Sequence, residues 1–177
     1  MIRYAIIGSL FAGAYGVLHD QITYSISPEY FTRLKFAQFH YADFGLPQRV
    51  FVGEIGFLAT WWVGFVGGWF IARIVVPRFP PHEAIRRVVQ SFVIIAAFAL
   101  TAAIIGYLVG LQRRSNLDLS GWQEFAVNRG VQDLPAFVRV AYIHNAGYLG
   151  AFGGLVVAIW RLKRMKGNAD QLVETIP

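Results

Sequence analysis

Apolar residues fall into four long runs, Ile2 to Leu18, Val50 to Val76, Val88 to Leu111 and Phe137 to Trp160, with polar residues gathered between them. A helix needs about 20 mostly apolar residues to cross the hydrocarbon core of a bilayer, so the last three runs are long enough and the first is slightly short. Backbone amides and carbonyls find no partner in lipid, which leaves only helices or a closed barrel. Hydrophobicity that is continuous, not alternating, excludes the barrel. The pattern predicts an all-α integral membrane protein: a four-transmembrane-helix bundle with helices over about 2–19, 50–76, 88–111 and 136–160, forming one domain across residues 1–177. Composition agrees, with 56% hydrophobic and 15% charged residues and a mean hydropathy of +0.48.

The two longer connections carry helix signals of their own. Ser27-Pro28-Glu29 has the form of an N-cap, a proline tolerated in a first turn and an acid near the positive end of a helix dipole, predicting a short helix over about 28–39. Tyr24, Tyr30, Phe31, Phe36, Phe39, Tyr41 and Phe44 are too many aromatics for a solvated loop, so this segment is expected to lie in the headgroup zone and cap the bundle. In the second connection, Ser120 and Gln123 form a capping-box pattern before a helix over about 121–129, and Gly130 follows as a C-terminal cap. Asp133 with Pro135 then opens the last long helix.

Small residues recur every four positions in all four runs: Gly8, Ala12 and Gly16; Gly56, Thr60, Gly64 and Gly68; Ala102, Gly106 and Gly110; Ala146, Gly150, Gly154 and Ala158. Lipid tails are as apolar as leucine, so helices associate in a bilayer through the close packing that such residues permit. A compact bundle is expected. No repeat between its halves and no Gly/Pro-broken helix pair supports an inverted-repeat transporter plan.

Charge orients the bundle. Arg3, Arg73, Arg78, Arg86, Arg87, Arg161, Lys163, Arg164 and Lys166 flank the runs on one side, against Arg33, Lys35, Arg49, Arg113, Arg114, Arg129 and Arg139 on the other. The short flanks that weigh most carry the first group, which puts both termini in the cytoplasm and the two longer connections outside. The net charge of +6 then falls entirely on the cytoplasmic side. Contact with anionic lipid accounts for it without nucleic acid, for which no motif is present. Arg3 and the small-residue segment Phe11-Ala12-Gly13-Ala14 resemble a signal peptide, but the apolar run continues through Tyr15, Val17 and Leu18, and a retained helix is expected. The absence of cysteine rules out disulfides, iron–sulfur clusters and thiolate metal sites.

The rare ionisable residues of the runs collect near the outer face. At 100° per residue His19 shares a face with Gly8, Ala12, Tyr15 and Gly16, Asp20 falls beside it, and His144 lies with Gly147, Tyr148, Ala151 and Ala158. All three point into the bundle. Glu54 shares a face with Leu58, Trp61 and Phe65, so its direction is open. An ionisable side chain within a membrane is functional by default, and inward residues from facing helices are how bundles build metal sites. His19, Asp20, Glu54 and His144 are therefore candidate ligands for a divalent transition metal, with zinc, iron, manganese and copper all compatible. Glu29 and His40 are candidate lid ligands. There is no HExxH and no Glu-x-x-His pair. His19 and Asp20 stand at a helix end, where polar residues ordinarily meet water and a histidine gains from the helix dipole. Asp43 reads as interfacial, and His82, beside Pro80-Pro81, as a turn residue.

The stretch His19-Asp20-Gln21-Ile22-Thr23-Tyr24-Ser25-Ile26-Ser27-Pro28-Glu29-Tyr30-Phe31-Thr32 resembles a segment of uncharacterised small bacterial multi-pass membrane proteins. That resemblance implies a bacterial cytoplasmic (inner) membrane and no activity, cofactor or catalytic residue. Two classes of function follow: a membrane-embedded metal protein or oxidoreductase, with b-type haem between His19 and His144 as a variant, or a noncatalytic accessory or assembly subunit whose glycine faces meet other membrane subunits.

Overall fold

The computed structural model describes residues 1–112 and 120–165. Arg113, Arg114 and Asp118, the Ser120 side chain expected to close a capping box, and Lys166 lie outside the described residues. Among the described residues there are helices and turns but no strand, in the order α1 (Ile2–Ile26), α2 (Pro28–Tyr30), a π-helical turn (Phe31–Lys35), α3 (Phe36–Gln38), a 3-10 turn (His40–Ala42), α4 (Gln48–Val75), α5 (Pro81–Gln112), α6 (Ser120–Arg129) and α7 (Leu134–Arg164). Three of these, α4, α5 and α7, are long and apolar enough to cross a membrane, which makes this an all-helical membrane protein.

Helix α1 is not among the three, although at 25 residues it outruns its expected end at about residue 19. Its continuation is polar in sequence but partly buried. Thr23 is buried and its hydroxyl donates back to the His19 carbonyl at 3.1 Å, while Tyr24 joins an apolar cluster. The helix stops where Pro28 removes an amide donor and pushes Ser27 into extended backbone, φ −146° and ψ 96°.

The expected capping by Ser27 is not realised. Ser27 stands at the N-cap position with Pro28 after it, yet its hydroxyl makes no capping bond and is buried without a partner. Glu29 turns away instead, accepting from the Gln132 amide at 3.0 Å and the Asp133 amide at 2.8 Å, which ties the two connections together. The single helix expected over about 28–39 is likewise interrupted by the π-helical turn, in which the Phe36 amide donates to the Phe31 carbonyl. Two other caps are as anticipated. Asp133 accepts from the Ala136 amide at 3.1 Å, and Gly130, with φ 65°, takes the left-handed conformation that ends α6.

The long helices form two antiparallel pairs. In the first, Gly8 and Gly16 of α1 sit against Gly64 and Gly56 of α4, and the Thr60 hydroxyl donates across the seam to the Ala12 carbonyl at 2.8 Å. In the second, a Cβ on Gly106 or Gly150 would come within 2.5 Å of the Tyr142 or Phe98 carbonyl. The pairs meet chiefly at their ends. At one end Tyr4, Ile71, Val75, Phe79, Val88 and Leu162 cluster, and Arg78 donates to the Leu162 carbonyl at 2.8 Å and to that of Met165. At the other, Tyr24, Tyr30, Phe31, Val52, Phe137 and Val140 cluster beneath Trp122 and Phe125. Between these plugs, at mid-height, the pairs part around a cavity of about 520 Å³.

Candidate functional site

The polar end of that cavity is built from the continuation of α1 and the first third of α7. His19 and Asp20 project from α1 one turn before Thr23, and His144 comes from α7 one turn after the buried Val140. One ligand atom from each of His19, Asp20 and His144 lies within 4.8 Å of the others. His144 Nε2 stands 3.9 Å from Asp20 Oδ1, too far for a hydrogen bond, and has no other partner although the residue is only 3% exposed. The two imidazoles meet edge to face, with ring centroids 4.8 Å apart and planes at 88°.

Aromatic rings fix their orientation. Tyr30 of α2 stacks on His144 with centroids 5.0 Å apart, and Tyr15, one turn before His19 on α1, stacks on His19 at 5.6 Å. Tyr148, one turn after His144, approaches it at 6.2 Å. Tyr30 is in place because the connection after α1 folds back over the bundle end, burying Phe31 completely. Burial pushes the Tyr30 phenol above its usual range, so it stays protonated, a neutral donor.

Lys35 enters the same cavity from above. The π-helical turn widens the helix there by one residue, which turns Lys35 toward the bundle; such turns recur at functional sites. Burial lowers its ammonium pKa, while the Asp20 carboxylate acts in the opposite direction, so the two share an electrostatic field although no ion pair within 4 Å joins them. Tyr15 and Tyr148 carried a signal in the sequence, being one helical turn from a histidine on the same face. Lys35 carried none, because its approach depends on how the connection folds.

The structure brings together three of the four residues proposed as ligands. Glu54 stands apart, lining a separate hollow with Val17, Phe57 and Leu58, its Oε2 buried without a partner. Neither candidate lid ligand joins the group. Glu29 is committed to the amides of Gln132 and Asp133, and His40 is exposed, with Nδ1 3.1 Å from the Ala37 carbonyl. His82 is exposed in the first turn of α5, at the far end of the bundle. The chain matches no protein-family model, no curated protein and no solved structure.

Proposed function

We propose that this chain is a four-span protein of a bacterial inner membrane that holds a divalent transition metal on His19, Asp20 and His144 near the outer face, with both termini in the cytoplasm. The observation that carries the reading is the His144 Nε2 atom, desolvated, unpartnered and facing a second imidazole and a carboxylate. An imidazole nitrogen buried without a hydrogen bond costs on the order of 1–3 kcal/mol, and coordination removes that cost. Two histidines and one aspartate leave a tetrahedral ion one open position, the arrangement of sites that bind a substrate or water. Bonds of about 2.0–2.2 Å place two ligands of one ion about 3.4 Å apart, so side-chain rotation of roughly 1 Å closes the set.

The fourth span is α1. Its glycines seat it against α4 along the part of that helix apolar enough to cross a membrane, which supports a span at the same depth. The edge-to-face contact of the two imidazoles, with centroids 4.8 Å apart, supports a single ion over a haem held between them. Lys35 counts against a dication on charge alone, but Asp20, when ionised, offsets it.

Titration of metal-depleted protein in detergent with zinc, manganese, iron(II) and copper tests this. Saturation at one ion per chain is expected. The lack of any stoichiometric binding would favour the accessory-subunit reading, in which the cluster is structural and the glycine faces and aromatic connections are contact surfaces.

A further inference from the structure

The cavity below the cluster has a geometry of its own. Its polar end holds His19, Asp20, His144, Lys35 and the Tyr15 hydroxyl, and its walls below are apolar, among them Phe11, Phe92, Ile95 and Leu155. It is open at the side. Trp62 and Val63 of α4 and Phe152 of α7 line it while remaining 53%, 50% and 68% exposed, so the mouth lies between α4 and α7. Thr60, bonded to Ala12, fixes that mouth at mid-height, and Ala12 stands about 10 Å along α1 from His19. An occupant reaching this mouth comes from the lipid phase.

We propose that the cavity binds a lipid-soluble quinone, its ring at the polar end and its tail leaving between α4 and α7. Donors predominate around the head. The Tyr15 hydroxyl is buried with no partner and the Lys35 ammonium enters from above, whereas Asp20 is the single carboxylate. A quinone carbonyl accepts from these donors and carries no charge, while a fatty-acid carboxylate would face Asp20 as a like charge. The walls at the polar end are ring faces, Tyr15, His19 and Tyr148, which suit a flat head better than a tetrahedral one. Pockets of this size that bury most of a ligand, apolar with a few convergent polar groups, are the usual form of a small-molecule site. The inference goes beyond metal binding and does not depend on it.

Decyl-ubiquinone titrated into the protein in quinone-free lipid nanodiscs, read by quenching of Trp62 emission, tests it. Saturable quenching is expected in the wild type and its loss in Trp62→Phe. Gly147 lines the cavity, and a Cβ there would have ordinary contacts at 3.8 Å from Ala103 and 3.9 Å from the Ala99 carbonyl. Gly147→Leu should therefore fold, fill the cavity and weaken quinone binding at least tenfold. Should Gly147→Leu not fold, Tyr15→Phe, which removes only a hydroxyl, decides the matter by the same expected weakening. Quenching that rises linearly with quinone, an affinity unchanged in the folded variant, or displacement by an equal concentration of oleate would overturn the proposal. Metal content measured in parallel separates the two readings, since Gly147→Leu leaves all three ligands in place.

Discussion

The seams within the helix pairs and the seam between the pairs are made of different residues and do different things. Inside each pair, glycine meets backbone: Gly8 against Gly64, Gly16 against Gly56, Gly106 against Tyr142, Gly150 against Phe98. Nothing larger than hydrogen fits there. Between the pairs contact is chiefly at two apolar plugs, and the middle is given over to a cavity at whose polar end His19 and His144 meet. Without a hydrophobic drive in lipid, close packing must hold helices together. Tight seams can carry that task so that a loose one is free to hold polar groups.

Violating a tight seam should be the costliest change. Gly150→Leu pushes a branched side chain into Ala102 and the Phe98 carbonyl, both 2.5 Å from its Cβ, and should cost on the order of 1–3 kcal/mol in thermal unfolding. The same substitution at Gly147, one turn away where α7 lines the cavity, should leave the melting temperature nearly unchanged. Equal losses at both positions would erase the distinction.

Next is the clamp over the cavity. Glu29→Ala leaves the Gln132 and Asp133 amides without their acceptor and should cost about 1 kcal/mol. Hydrogen exchange should quicken at these amides and across the α2 segment, while the α1–α4 seam stays protected. Uniform exchange throughout would show that the clamp does not act locally.

The smallest effect sharpens the account of the first pair. Thr60→Val keeps shape and removes the hydroxyl bond to the Ala12 carbonyl, with an expected loss of about 0.6 kcal/mol by chemical denaturation. A stabilisation would mean that the glycine contacts alone determine the seam.

How much of this could be read from residues depended on how local each feature was. The glycine lines were legible because helical periodicity puts Gly8 with Gly16 and Gly150 with Gly154 whatever the neighbours are. His19 and His144 were legible for the same reason, as inward residues near one end of the bundle. Periodicity gave Glu54 a face but could not say what would cover it, and the structure gives it a hollow of its own. Glu29 sat beside an N-cap serine and read as part of that cap, yet its partners lie at Gln132 and Asp133, about a hundred positions on. Lys35 was the least legible, since it reaches the cavity only through a widened turn in a connection that must first fold back over the bundle. The continuation of α1 to Ile26 was hidden because its polar side chains find partners that only the folded chain supplies.

Elemental analysis of purified protein tests whether His19, Asp20 and His144 together hold one metal ion at one end of the loose seam. Close to one transition-metal ion per chain is expected in the wild type, with loss of that ion in a folded His144→Ala and no change in His82→Ala, whose histidine is exposed at the far end. A metal-free wild type after loading, or equal occupancy in all three, would contradict it.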